Sequence, residues 1–176
     1  MGLGSARRAA DSAAAALATG FYLSYIPSTL IRFFGAPASR KWTGAGLIGT
    51  AEGLLALCVL PEEPARFGVV LVLAIVMSCW ICGRAEEVLG VHDDPRIVLD
   101  EVVGYWTAVA FLPRTGRVLA AAFVLFRILD SVKLPPYRWL ERLPGGIGVV
   151  ADDVGAAVVA NVIVRILLSY WPWLNY

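Results

Sequence analysis

The sequence predicts an all-α protein, a compact bundle of five or six helical segments embedded in a membrane, with its polar connections gathered at one end. Two observations carry this expectation. Of the 176 residues, 59% are apolar and only 16% charged, with a mean hydropathy of +0.71; soluble domains carry roughly a quarter charged residues. The apolar residues also fall into uncharged stretches separated by short charged connections. At this length, with no repeat, linker or low-complexity tail to divide it, the chain reads as a single membrane-embedded domain over 1–176.

The first segment runs from Ser12 to Ile31, alanine-rich, with Pro27 near its end. Arg7-Arg8 ahead of it superficially resembles a signal peptide. Asp11 interrupts the pattern and no clear cleavage site follows, so a retained helix is expected. The second segment covers about Gly46 to Leu60 and encloses Glu52. The third, Phe67 to Gly83, is the most secure, and at 1.5 Å per residue it spans about 25 Å of hydrocarbon. Val102–Leu112 and Val118–Phe126 are each short for a standard span, so they form a shallow hairpin or extend through polar ends. The last begins near Val154, and Tyr170, Trp171, Trp173 and Tyr176 at its end read as an aromatic belt at a membrane surface. Cys58, Cys79 and Cys82 all lie inside apolar runs and read as buried helix cysteines, despite the CxxC spacing of the last two. A net charge of +1, with no basic run longer than a pair, gives no reason to expect nucleic-acid binding.

If successive segments alternate in direction, connections 32–45, 84–101 and 128–153 share one face. They hold Arg32, Arg40, Lys41, Arg84, Arg96, Lys133, Arg138 and Arg142, against Arg7, Arg8, Arg66, Arg114 and Arg117 opposite. The positive-inside rule puts the first set in the cytoplasm. The same face collects Asp93, Asp94, Asp100, Glu101, Asp130, Asp152 and Asp153. Asp100-Glu101 and Asp152-Asp153 each border an apolar run. Acids favour a helix N-terminus through its dipole, but capping needs one Asp and not a doubled acid at two helix starts. Hard oxygen ligands in a cluster suit Mg²⁺, which takes one or two carboxylates plus waters and phosphate oxygens.

Arg127 lies three residues before Asp130 and Lys133 three after it, so one helical turn stacks them. Such cations beside carboxylates and a metal can hold a phosphate; an ordinary helix-end salt bridge is the plainer reading of Arg127. Gly145-Gly146-Ile147-Gly148 permits close backbone approach, with amides able to face an anion. With His92 the sole histidine, no multi-histidine metal site is available, and neither a Ser-His-Asp arrangement nor a P-loop lysine motif stands out. Carboxylate-and-metal chemistry remains. The competing class is a small membrane transporter or ion-binding protein whose acids form an ion path, although these acids sit at segment ends on one face.

Two blocks resemble the phosphatidylglycerophosphatase A family. One is Asp94-Pro95-Arg96-Ile97-Val98-Leu99-Asp100-Glu101-Val102-Val103-Gly104. The other is Phe126-Arg127 through Asp130, Lys133 and Pro136, followed by Gly145-Gly146-Ile147-Gly148, Asp152-Asp153 and Ala160-Asn161. Gly46-Leu47-Ile48-Gly49-Thr50 is a weaker match. The chain departs from the family at Leu134 (proline), at Ala157 (glycine) and in a longer first loop over 27–45. The resemblance implies a Mg²⁺-dependent phosphatase of the bacterial inner membrane, converting phosphatidylglycerophosphate to phosphatidylglycerol and phosphate, with the bilayer and a membrane phospholipid as its partners. On this reading Asp100, Glu101, Asp152 and Asp153 supply most of the metal ligands, with Asp94 as a further ligand or just behind them. Asp130, Lys133, Arg127 and Asp94 are then catalytic, with Asp130 as base or nucleophile partner. Arg96, Gly145, Gly146, Gly148 and Asn161 are expected at the substrate. Direct water attack and an aspartyl-phosphate route both fit, and another lipid phosphomonoester, such as phosphatidic acid, is the alternative substrate. A phosphatidyltransferase is disfavoured, because its D-G-x-x-A-R signature is missing after Asp152-Asp153.

Overall fold

The computed structural model describes residues 3–33, 44–92, 94–132, 135, 137–171 and 173. Among them, seven α-helices and one 3₁₀ turn are the regular structure: α1 (Leu3–Ala18), α2 (Tyr25–Phe33), α3 (Ala45–Ala56), α4 (Pro64–Leu89), α5 (Leu99–Ala108), α6 (Gly116–Val132) and α7 (Gly146–Tyr170), with the 3₁₀ turn at Tyr137–Arg142. The all-α expectation holds, with more helices than the five or six expected. The extra one arises where the first segment breaks. Gly20, Phe21 and Tyr22 all take left-handed backbone angles, φ 55°, 52° and 67°, which separates α1 from α2. Gly20 suits this turn, and a Cβ there would press on the Glu52 carboxylate of α3. The buried Oε1 of Glu52 finds no hydrogen-bond partner among the described residues.

Two helices have the length and composition to cross a bilayer, α4 with 26 residues and mean hydropathy 2.2, and α7 with 25 residues and 1.9. At 1.5 Å per residue they extend about 39 and 37 Å. The apolar window of α4 is only 28% buried within the protein. A soluble core helix would hide such a surface, so these two helices point to membrane association. On α4, Val69, Val72, Leu73, Val76, Met77 and Trp80 form an exposed stripe at helical spacing. The helix starts cleanly, with Glu63 accepting from Ala65 N and Arg66 N at 2.9 Å each and Pro64 in the first position. It ends at Gly90, φ 73°.

The most central helix is α7, packed against α4, α5, α6 and the 3₁₀ turn. Its small residues, Ala156, Ala157 and Ala160, are fully buried beside Phe126 and Tyr105. It begins at Gly146 and not near Val154, so Asp152 and Asp153 lie about two turns inside the helix. They cannot cap it, and the capping explanation for that pair fails. Of the two short segments, α6 extends to 17 residues through Arg127 and Asp130, whereas α5 stays at 10 residues, about 15 Å, too short to cross.

The ends of the short helices, far from the acids, are closed by side chains. Asn161 Nδ2 donates to Ala108 O and Ala110 O at 2.9 Å each, capping α5. Arg114 donates to Leu57 O and Leu60 O at 3.0 Å and to Pro61 O at 2.7 Å, closing the turn after α3. Backbone carbonyls left open in such an apolar setting cost several kcal/mol each, roughly. Tyr170, Trp171 and Trp173 are exposed at the far end of α7, as an interfacial belt requires; Tyr176 lies outside the described residues. Cys82 is buried, but Cys58 lies in an exposed turn after α3, not in a buried helix, and all three thiols are free.

A candidate metal and phosphate site

Three helix ends converge on one acidic centre. The first turn of α5 supplies Asp100 and Glu101, the last two turns of α6 supply Arg127 and Asp130, and the second turn of α7 supplies Asp152 and Asp153. One carboxylate oxygen each from Asp100, Glu101 and Asp153 lies within 4.8 Å of the other two. Asp100 and Asp153 are 7% and 5% exposed. Asp100 Oδ1, Glu101 Oε2 and Asp153 Oδ2 are buried with no hydrogen-bond partner among the described residues. Buried carboxylate oxygens are normally paired, and three carboxylates that converge while each keeps an unpaired oxygen are what a hard cation would satisfy. The residues present therefore fit a metal ion.

The electrostatics say the same. Burial, followed by the adjacent Glu101 charge, holds the Asp100 carboxyl well above the ordinary aspartate range. Burial pushes Glu101 up to about 7 against the opposing pull of Arg127. Arg127 Nη1 lies 3.0 Å from Asp130 Oδ2 and 3.7 Å from Glu101 Oε1. Yet that nitrogen makes no aligned hydrogen bond among the described residues, which leaves an N–H for another acceptor. Asp130 in turn faces the Asp153 carboxyl, like charge against like.

Not every expected site residue joins this centre. Asp152 is buried beside Asp153 but is not one of the three converging ligands; neighbours on a helix point about 100° apart. Asp94 is 4% exposed and pairs with Arg96, whose Nε donates to Asp94 Oδ1 at 2.7 Å and whose backbone N donates to the same oxygen at 3.0 Å. Ion pairing with Asp94 outweighs burial and raises the Arg96 pKa. These two shape the loop before α5. Gly146 and Gly148 are buried in α7, and a Cβ at Gly146 would strike Cys79 O and Gly83 N of α4. The room at Gly146 is taken up by the α4 backbone. Gly145 is the exposed N-cap, φ 61°. Asn161 sits about 12 Å along α7 from Asp153, on the α5 cap already described. Lys133 lies outside the described residues, as do Asp93 and most of the first loop.

Two glycines were missed as site residues. A Cβ on Gly46 of α3 would collide with Glu101 Oε1 and the Arg127 guanidinium, so this glycine lets α3 roof the centre. Gly104, one turn after Asp100-Glu101, has Phe126 and Asp153 against it, and a Cβ there would sit 2.6 Å from Phe126 Cζ. The available signal was the glycine spacing of α3, Gly46, Gly49 and Gly53, which marks a close-packed helix face. Gly104→Ala is expected to destabilise the fold by about 1–3 kcal/mol through overpacking. Thermal unfolding in detergent would read this as a lowered midpoint; an unchanged midpoint would show that Phe126 can yield.

A family model described as Phosphatidylglycerophosphatase A matches residues 14–168. A Phosphatidylglycerophosphatase A from Escherichia coli (strain K12) is 37% identical over 108 residues, covering 60% of this chain and 63%, just under two thirds, of that relative. Another of the same name from Haemophilus influenzae is 36% identical over 137 residues, 77% of this chain and 81% of the relative. A Bacteroides thetaiotaomicron protein named "Putative phosphatidylinositol-3-phosphatase" is 36% identical over 150 residues, 81% of this chain and 94% of that protein. No solved structure matches. With most of its length matched, including all three converging acids, the chain belongs to the phosphatidylglycerophosphatase A family, a family of phosphomonoester hydrolases.

Proposed function

We propose that the protein is a Mg²⁺-dependent lipid phosphatase that hydrolyses phosphatidylglycerophosphate to phosphatidylglycerol and inorganic phosphate. The observation that carries this reading is the convergence of three carboxylates beside Arg127, each with a buried, unpartnered oxygen. Asp100, Glu101 and Asp153 would hold the ion, with Asp152 buried behind them. Mg²⁺ bound there supplies positive charge to the phosphate oxygens and polarises the reacting oxygen. Arg127 presents its guanidinium to a phosphate oxygen, with Lys133 from the same stretch as a second cation. Asp130, between Arg127 and Asp153, takes the proton of the attacking water or itself attacks phosphorus. Trapping a phosphoprotein under turnover would select the second route. Arg96, oriented by Asp94, stands at the rim, where it meets the lipid headgroup.

Phosphoryl transfer is mostly positioning and charge stabilisation, and this set of residues supplies both. Asp11 pairs with Arg84, which brings Arg7 and Arg8, a turn earlier on α1, toward the acidic end, and the cation excess at that end favours a site on the cytoplasmic side of a bacterial inner membrane. A second reading, another lipid phosphomonoester as substrate, is favoured by the extent of the Bacteroides match. Purified protein with Mg²⁺ should release phosphate from phosphatidylglycerophosphate at least about tenfold faster than from phosphatidic acid or phosphatidylinositol 3-phosphate. Preference for either of the latter would transfer the substrate assignment, and no release from any would favour ion binding or transport.

A further inference from the structure

The helix α2 is built inside out. Ile26, Thr29, Leu30 and Phe33 recur at i, i+3, i+4 and i+7 and form its exposed face, with Ile26 at 46%, Leu30 at 51% and Phe33 at 82% exposure. A helix on a water-facing surface shows the reverse pattern, polar outward. The left-handed turn before it adds Phe21, 73% exposed, and Tyr22, 51% exposed. Bulky aromatics rarely adopt such angles. Here the turn is over-determined: Phe21 N donates to Ala16 O at 2.7 Å, Tyr22 N to Thr19 Oγ1 at 3.3 Å, and Leu23 N to Gly20 O at 3.0 Å. The strained turn holds two aromatic side chains outward, beside the apolar face of α2.

We propose that the turn at 20–22 and α2 dock in the headgroup layer of the bilayer and fasten the site's rim to the lipid surface. At nine residues, about 13 Å, α2 cannot span, but an apolar face with flanking aromatics suits a helix lying in the interface. The bilayer is the occupant because α4 and α7 have the length and composition to carry the protein into a membrane, and α2, packed against α3 alone among the described helices, leaves this apolar face uncovered beside exposed Leu47 and Leu55 of α3. The connection to the site is direct. Ser24 Oγ donates to Arg96 O at 2.7 Å, the Arg96 guanidinium stacks 5.7 Å from the Tyr25 ring centroid, and Val98 N donates to Ala18 O at 2.7 Å. Those bonds grip the loop that leads into Asp100. Docking of α2 therefore sets the height of Arg96 relative to the lipid phosphates.

The test uses full-length protein in vesicles of phosphatidylethanolamine and phosphatidylglycerol, with Cys58→Ser and Cys79→Ala and the buried Cys82 kept. Nitroxide labels are placed singly at Ile26→Cys and Leu30→Cys, with Val72→Cys as the lipid reference and His92→Cys as the water reference. Both α2 labels should relax with oxygen as the Val72 label does and resist a water-soluble nickel complex. Water-like relaxation at both would overturn the proposal. Protection from both relaxants would assign the face to residues 34–43, and spin–spin broadening would assign it to a second copy of the chain; either result also overturns it. The activity arm rests on the lipid-phosphatase reading. The double variant Leu30→Ser with Ile26→Ser should lose about tenfold in turnover on vesicle substrate while keeping turnover on a short-chain soluble analogue. Equal loss on both substrates would remove the link between docking and the site. If unsubstituted protein turned over neither substrate, the phosphatase reading would fail while the label result stood.

Discussion

Asp100→Asn and Asp153→Asn are each expected to lower phosphate release by about a thousandfold or more, the scale of several kcal/mol of lost metal assistance, without unfolding the bundle. Each substitution removes one of the three converging ligands. Stability distinguishes this from simple damage. If Mg²⁺ binds the folded protein only, saturation at a hundred times the dissociation constant adds about 2.7 kcal/mol. The unsubstituted protein should gain that stability on adding Mg²⁺ and lose it with a chelator, and neither variant should respond. Without the ion, acidity reverses the usual trend. Glu101, raised by burial from 4.5 to about 7, and Asp100, raised likewise, keep protons in the fold that the unfolded chain has released. Between those values the native state binds more protons, so stability falls as pH rises. Asp100→Asn, which cannot ionise, should therefore be at least as stable as the unsubstituted protein at neutral pH in chelator. A metal-free Asp100→Asn that unfolds more easily, or one that still gains stability from Mg²⁺, would remove Asp100 from the cation site.

How far this centre was legible in the sequence depends on which residues carry it. Asp100-Glu101 stood out because a doubled acid beside an apolar run is costly unless something binds it, and the same cost drew attention to Asp152-Asp153. The i, i+3 spacing of Arg127 and Asp130 gave their pairing directly. Which member of the second acidic pair faces the centre was not legible, because it follows from the rotational phase of α7. Hydropathy started that helix near Val154, since two aspartates look like an end; packing carries it back to Gly146, where Gly83 of α4 leaves room. Asn161 and the 145–148 glycines were drawn toward the substrate by the family pattern; Asn161 caps α5 and Gly146 meets α4, while Gly145 stays open at the start of α7. The break at 20–22 had no sequence signal beyond Gly20, because Phe21 and Tyr22 do not favour left-handed angles. It is imposed by the local hydrogen bonds and by the elements packed around it.

Arg127 is expected to show opposite effects on catalysis and metal binding. Arg127→Ala should reduce turnover by about a hundredfold, the scale of one lost charge-stabilising contact to the reacting phosphate. Arg127→Lys should recover little of it, because an ammonium lacks the planar fork that meets two phosphate oxygens. Metal affinity should move the other way. Arg127 is the positive charge that pairs with Asp130 and opposes Glu101, 3.0 Å from Asp130 Oδ2 and 3.7 Å from Glu101 Oε1. Removing a unit charge from beside these carboxylates would relieve a repulsion on a bound cation on the order of a few kcal/mol per unit of ion charge at an effective dielectric of 20, before solvent and protonation relax. Part of that should appear as Mg²⁺ binding at least about tenfold more tightly, read by calorimetry or by the Mg²⁺ dependence of the unfolding midpoint. Arg127→Lys, which keeps the charge, should leave Mg²⁺ affinity near that of the unsubstituted protein. A residue that only braces the helix end would lower metal affinity and activity together, because loosening α6 would loosen Asp130 and the ligands beside it. Tighter metal binding with slower turnover in Arg127→Ala, and slow turnover with ordinary metal binding in Arg127→Lys, would together assign the guanidinium to the phosphate; joint loss of both in either variant would return it to structure.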